Sequence, residues 1–174
     1  YRLNTAWFFD VNTGIVAGQS AYNENIKIRR TTDGGESFSS IDLGASTGSP
    51  RVNDIYFINS TTGFLCRSSN VKAYKTTNAG LNWSSVNTPT VDWAMFQVKI
   101  VSASEIYAVG DASFLYKSTD LGTTWQTLPI SVNGPSATFV WYSLDKNGST
   151  YVLSGDYGIV AISNDGCATW STNN

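Results

Sequence analysis

Ser118-Thr119-Asp120-Leu121-Gly122-Thr123-Thr124-Trp125 decides the fold of this chain. It runs hydroxyl, any residue, Asp, any residue, Gly, any residue, hydroxyl, aromatic. Three further stretches follow it closely: Thr31 to Phe38 (TTDGGESF), Thr76 to Trp83 (TTNAGLNW) and Ser163 to Trp170 (SNDGCATW). The third position falls at Asp33, Asn78, Asp120 and Asp165, so the spacing is 45, 42 and 45 residues. A fixed period of this size marks a repeat architecture, in which one supersecondary unit recurs.

Working outward, each unit holds four short apolar runs separated by turn residues, which is an all-β signal. In the third unit these are Phe96–Ile100, Ile106–Gly110, Phe114–Lys117 and Thr124–Leu128, and the other units match them. We name them strands a to d. The first runs are the more uniformly apolar, so strand a is expected to be buried on both faces. The turns between a and b, such as Asn12-Thr13-Gly14 and Lys146-Asn147-Gly148, have hairpin chemistry. The octapeptide falls in the turn between c and d. Four-stranded antiparallel units of this length in tandem make a β-propeller, with strand a at the channel and strand d at the rim. The expected blades are 1–44, 45–88, 89–131 and 132–174, in a single domain. They form a closed four-blade ring or part of a seven- or eight-blade one, and two copies pairing is a third possibility.

Within the octapeptide each residue type has a structural task. The Asp side chain (Asp33, Asp120, Asp165, or Asn78) accepts hydrogen bonds from the turn that it opens. Gly35, Gly80 and Gly122 permit a backbone closed to other residues. Phe38, Trp83, Trp125 and Trp170 bury an apolar face between units. Cys167 stands where the pattern has Gly, so the last turn is expected to be looser or differently shaped.

This pattern resembles the Asp-box, or BNR repeat, of sialidases and other propellers. The flanking stretches Phe8 to Gly18 and Asn53 to Phe64 are similar to those of photosystem II stability/assembly factor-like propellers. That resemblance implies a seven-bladed or similar propeller used for binding or scaffolding. Relatives of that kind are widespread in secreted and surface proteins of non-photosynthetic bacteria.

Bulk properties narrow the function. The chain of 174 residues carries a net charge of −2, with no basic footprint for nucleic acid. It has no apolar run long enough to span a membrane as a helix. Charged residues make up 14% against about 25% in ordinary domains. With its abundant Ser, Thr and Asn, this points to an extracellular, cell-surface or periplasmic setting. The chain opens on Tyr1, which suggests a processed or excised piece. Without histidine and with only Cys66 and Cys167, neither a conventional zinc site nor Ser-His-Asp or Cys-His catalysis is expected. No cofactor is expected, and no bridge between these two cysteines.

Sialidase chemistry, which the resemblance raises, needs an arginine cluster and a Tyr–Glu pair. Glu24, Glu36 and Glu105 do not fall at a channel mouth opposite a tyrosine. Glycoside hydrolysis needs two facing carboxylates. Asp111 and Asp156 recur at equivalent b–c turns and are the candidates. Tyr22, Trp93 and Tyr157, with Asn23, Arg51, Asp92 and Asp156, could form a sugar- or peptide-binding face, since the b–c and d–a loops emerge together. Arg30, Lys75 and Lys117 precede three of the octapeptides and are expected to form a mild positive arc. The favoured partner is a protein or a carbohydrate, bound without catalysis. A carbohydrate-active enzyme and a photosystem assembly factor are the alternatives.

Overall fold

The computed structural model describes residues 2–19, 26–43, 51–68, 73–86, 88, 94–111, 114–131 and 139–173. Blade 1 consists of β1 (Arg2–Phe8), β2 (Gly14–Gln19), β3 (Lys27–Thr31) and β4 (Ser39–Asp42). Blade 2 follows with β5 (Arg51–Phe57), β6 (Gly63–Ser68), β7 (Ala73–Thr76) and β8 (Ser84–Ser85). Blade 3 has β9 (Met95–Ile100), β10 (Ile106–Gly110), β11 (Phe114–Ser118) and β12 (Gln126–Pro129). Blade 4 has β13 (Trp141–Asn147), β14 (Thr150–Gly155), β15 (Val160–Ser163) and β16 (Ser171–Asn173). Every blade is an antiparallel meander, and a single bridge, Gln19 at the end of β2 to Arg51 at the start of β5, joins the first two.

The core lies between blades, because each sheet turns one face to the blade before it and one to the blade after. Ile15, Ala17 and Ile28 of blade 1 meet Val52, Ile55, Phe57 and Leu65 of blade 2. Phe64 and Cys66 meet Met95, Val98, Ile106 and Ala108. Tyr107, Val109 and Leu115 meet Trp141, Leu144, Leu153 and Ala161. Strand b is therefore the one buried on both faces: β6 and β10 are buried almost throughout, while β1 and β5 alternate. The expectation that strand a plays this part is corrected. Strand a has the channel beside it, and only its blade-facing positions are covered.

Successive strands a pack side by side, β1 on β5, β5 on β9 and β9 on β13. The backward face of blade 1 is uncovered, with Leu3 65%, Phe8 47% and Phe38 39% exposed. On the forward face of blade 4, Val152 is 38% exposed. The four blades thus form an arc of a propeller.

The octapeptide turns share one bonding scheme. The first hydroxyl accepts the N–H of position five: Gly35 to Thr31 Oγ1 at 2.9 Å, Gly80 to Thr76 at 3.0 Å, Gly122 to Ser118 Oγ at 2.8 Å and Cys167 to Ser163 at 2.9 Å. The Asp or Asn Oδ1 accepts the N–H of position seven at 2.8–2.9 Å. Where position seven is Ser or Thr, its hydroxyl donates to the other carboxylate oxygen. These bonds favour the ionised carboxylate. The side-chain hydroxyl is the largest influence and the backbone N–H the next, and together they hold Asp120 and Asp165 down at about 2 and Asp33 lower still.

Positions four and five both lie in the left-handed region: Gly34 and Gly35, Ala79 and Gly80, Leu121 and Gly122, Gly166 and Cys167. Cys167 takes φ 75° and keeps the bonding scheme, so the fourth turn is not reshaped. It differs at its tryptophan. Trp83 and Trp125 donate Nε1–H to the carbonyl of the position-five glycine at 3.0 and 3.1 Å, whereas Trp170 Nε1 is buried without a partner. Cys66 and Cys167 are free, buried thiols; burial pushes Cys66 well up and Cys167 up to about 11.

Candidate ligand-binding face

Each strand a begins on the face opposite the octapeptide turns, and each carries a β-bulge near that end. The bulged residues are Asn4, Asn53, Phe96 and Tyr142. An extra residue re-aims its side chain, and bulges are frequent beside functional sites. Asn4 Nδ2 donates to the Val52 carbonyl of the next blade at 3.1 Å, and Asn53 Nδ2 donates to the equivalent carbonyl of Met95. In the later blades the same place is aromatic, and Phe96 meets Tyr142 edge-on at 5.1 Å. The mouth of the channel therefore changes from amide to aromatic along the arc.

The positions after the bulge continue the interlocking. Asp54 Oδ2 accepts the Val98 N–H at 3.2 Å and its Oδ1 accepts the Ile55 N–H at 3.0 Å. Gln97 Oε1 accepts the Leu144 N–H of the next blade. Burial dominates at Asp54 and raises its carboxyl to about 6 despite these bonds. Further down the channel Trp7 packs on Tyr56 at 5.1 Å, and Lys99 pairs with Asp145 at 2.8 Å.

The candidates named from the sequence fall into three groups. Tyr22, Asn23, Asp92 and Trp93 lie outside the described residues. Arg51 is exposed at the start of β5, where it pairs with Ser68 and Gln19. Asp111 follows β10 in blade 3, and Asp156 and Tyr157 follow β14 in blade 4. Asp111 Oδ2 accepts the Ala94 N–H at 2.8 Å, and its own N–H donates back to the Ala94 carbonyl at 3.0 Å. Asp156 repeats this with Val140, at 3.2 and 3.0 Å. The recurring Gly-Asp is thus a clasp that ties the end of strand b to the start of strand a in the same blade.

Asp156 has a further role. Its Oδ1 accepts the hydroxyl of Tyr142 at 2.9 Å, fixing a ring that is 48% exposed. That bond, with lesser electrostatic contributions from Asp156 and Asp111, raises the Tyr142 phenol. Tyr157 follows in a 3₁₀ turn (Asp156–Gly158) with φ 56° and is 80% exposed. A large side chain held in the left-handed region and turned to solvent is uncommon. The bulge residues were not singled out from the sequence, because a bulge leaves no mark on hydrophobic patterning.

The pre-octapeptide cations do not form an open arc. Lys75 lies over the Phe64 ring at 5.5 Å and donates to the Leu121 carbonyl of the next blade at 2.8 Å. Lys117 lies over Tyr107 at 5.3 Å and pairs with Glu105 at 2.6 Å. These cations pack in or beside the joints between blades. On the octapeptide face, a groove of about 340 Å³ is lined by Tyr56, Ile58, Ile100, Val101 and Ser102, among others.

Residues 39–174 match the family profile described as photosynthesis system II assembly factor YCF48. The chain belongs to this family. Among solved structures it is similar to YCF48 bound to D1 peptide, with TM-score 0.71 and 21% identity over 99% of this chain and 54% of that one. YCF48 from Cyanidioschyzon merolae gives 0.70 and 16%, over 98% and 55%. A GH74 enzyme of Niastella koreensis gives 0.72 and 20%, over 98% of this chain and 30% of that chain. At these identities the likeness is one of fold. The chain spans about half the length of the YCF48 structures that it matches. No curated protein sequence matches it.

Proposed function

We propose that this YCF48-family propeller module works by binding rather than catalysis, taking an extended segment of a partner protein at the channel mouth of blades 3 and 4, in an extracellular, cell-surface or periplasmic setting. The observation that carries this reading is the bonding of Asp156. Its two oxygens hold the Val140 backbone and the Tyr142 hydroxyl, so it orients an aromatic surface. A retaining or inverting glycosidase needs one carboxyl free to give a proton and another free to attack or to activate water. Asp111 and Asp156 instead carry backbone bonds that anchor their own blades. Tyr142 and Tyr157 offer amphipathic rings at low entropic cost, as binding surfaces commonly do. The YCF48 relative bound to a D1 peptide supports a peptide as the ligand class.

The test is a peptide array probed with the chain, run beside a glycan array and a glycoside hydrolysis screen. Peptide capture that falls at least tenfold on Tyr142→Ala or Tyr157→Ala is the expected result. Glycoside turnover lost on Asp111→Asn or Asp156→Asn would overturn the reading in favour of an enzyme. Glycan capture without turnover would keep the site and change the ligand.

A further inference from the structure

Two positions at the channel mouth can be matched across blades: the bulge residue of strand a and the residue at the end of strand b. They are Asn53 and Ser68 in blade 2, Phe96 and Asp111 in blade 3, and Tyr142 and Asp156 in blade 4. In blades 2 and 4 the bulge residue donates to its partner. Asn53 Nδ2 donates to Ser68 Oγ at 3.0 Å, and the Tyr142 hydroxyl donates to Asp156 Oδ1 at 2.9 Å. Blade 3, which has a blade on either side, keeps the carboxylate and loses the donor. Asp111 Oδ2 takes the Ala94 N–H, while Oδ1, matched only by the phenyl ring of Phe96, has no hydrogen bond among the described residues.

Blade 3 lacks a second donor as well. In blade 2 the Arg67 guanidinium lies over the Tyr74 ring at 5.5 Å, and its Nη1–H donates to the Tyr74 hydroxyl at 3.4 Å. The same two places in blade 3 hold Gly110 and Tyr116, and the Tyr116 hydroxyl is buried without a partner. The chain cannot supply a guanidinium here itself, because a Cβ on Gly110 would lie 2.0 Å from the Ala94 carbonyl oxygen, which the Asp111 clasp holds in place. Burial, and next the charge of Asp111, push the Tyr116 phenol up to about 12, so the two orphaned groups are within electrostatic reach of each other. Nor is Asp111 neutralised from nearby. Lys99 and Lys117 pair with Asp145 and Glu105, and Lys146 lies over the Tyr151 ring, all toward the octapeptide end.

We infer that Asp111 and Phe96 form a subsite for one cationic side chain, a guanidinium or an ammonium, of the partner segment. Its N–H takes the place at Asp111 Oδ1 that the Tyr142 hydroxyl takes at Asp156, and its charge rests against the Phe96 ring. A charge-assisted hydrogen bond and a cation–π contact then act on the same group. This inference rests on the peptide-binding reading above and narrows it, from an extended segment to one that places a basic residue over blade 3.

Titration of the chain with N-acetyl-arginine amide, followed by the backbone amide signals of Phe96, Gly110 and Asp111 in nuclear magnetic resonance spectra, tests the subsite apart from any peptide. N-acetyl-citrulline amide, which keeps the shape and loses the charge, is expected to bind about tenfold more weakly. Asp111→Asn should abolish that preference. Phe96→Tyr should abolish it too, because the added hydroxyl satisfies Asp111 as Tyr142 satisfies Asp156, and blade 4 shows that the fold accepts tyrosine at this place. Equal binding of the two probes, or an arginine preference that survives in Phe96→Tyr, would overturn the proposal. On the peptide array, captured sequences are expected to require an Arg or Lys and to lose about tenfold on Asp111→Asn. Captured peptides without that requirement sink the subsite and leave the peptide reading standing. No peptide captured, with the arginine preference intact, sinks the peptide reading and leaves the subsite standing.

Discussion

The octapeptide face and the channel mouth sit at opposite ends of the same strands, and they use aspartate differently. At the octapeptide end every blade repeats one arrangement: hydroxyl, carboxylate or amide, and two left-handed residues, all satisfied locally. At the mouth the bulge position changes from Asn4 and Asn53 to Phe96 and Tyr142, and the residue after it is Thr5, Asp54, Gln97 or Ser143. A feature repeated in every blade serves what every blade needs, which is closing its own turn and seating on its neighbour. A feature that varies around the arc is free to serve a ligand that lies across several blades. The difference is consistent with a scaffold at one end and with the recognition proposed above at the other, and it can be broken by mutation.

The largest effect is expected at Gly122. Valine there combines φ +78° with a Cβ placed 2.7 Å from the Phe64 ring. Backbone strain and overpacking together should cost about 3–5 kcal/mol. Gly148→Val, at φ +60° with nothing within 4 Å, carries the strain alone and should cost about 1–2 kcal/mol. Urea unfolding of the two variants separates joint packing from turn strain; equal losses would show that the seat on Phe64 contributes nothing. Asp120→Ala comes next. It removes the acceptor for the Thr124 N–H and hydroxyl and for Ser118, and should lower the urea midpoint by less than the Gly122 variant does. Asp120→Asn should recover most of that, since Asn78 does the same work in blade 2. Asp111→Ala loses one side-chain bond at the mouth and should cost only about 1 kcal/mol.

The two ends should also titrate in opposite senses. Asp120 and Asp165 are held below the ordinary 3.8, so their contribution is present above that value and is lost as pH falls toward 2. Asp54 is raised to about 6, so the fold prefers its neutral form, and stability is lost as pH rises from 3.8 through 6. Wild-type protein should gain about 1 kcal/mol between pH 7 and pH 5, and Asp54→Asn should flatten that slope. A slope that survives in the Asn variant would place the titrating group elsewhere.

The octapeptide made the blade count and the position of each c–d turn legible in advance, because its residues are chosen by local geometry, and local geometry writes itself into short spacings. Position four was missed: Ala79 and Leu121 are left-handed there, and nothing about alanine or leucine announces that. Asp111 and Asp156 were visible as a recurring pair, but a clasp and a facing acid pair look alike until the partners Ala94 and Val140 are seen. The cations before the octapeptides read as solvent-facing because a lysine at a strand end usually is; each instead lies over the strand b ring of its own blade, Phe64 or Tyr107, and Lys75 also reaches the Leu121 carbonyl of the next blade. What was illegible, then, is which partner each side chain finds in three dimensions, whether within a turn, as at Ala79 and Leu121, across one blade, as at Asp111, or across a joint, as at Lys75.

The smallest effect on stability is expected at Tyr157, and it sharpens the contrast most. Tyr157→Gly relieves a left-handed non-glycine residue, which is worth about 1 kcal/mol, and gives part of that back through the freer unfolded chain. The ring is 80% exposed, so little packing is lost with it. The net change should be within about 0.5 kcal/mol, on the stabilising side. If the mouth recognises its ligand through this ring, the same variant should lose at least tenfold in peptide capture while unfolding no more readily than wild type. Unchanged capture would move recognition away from the 3₁₀ turn and onto Tyr142 and Phe96 alone.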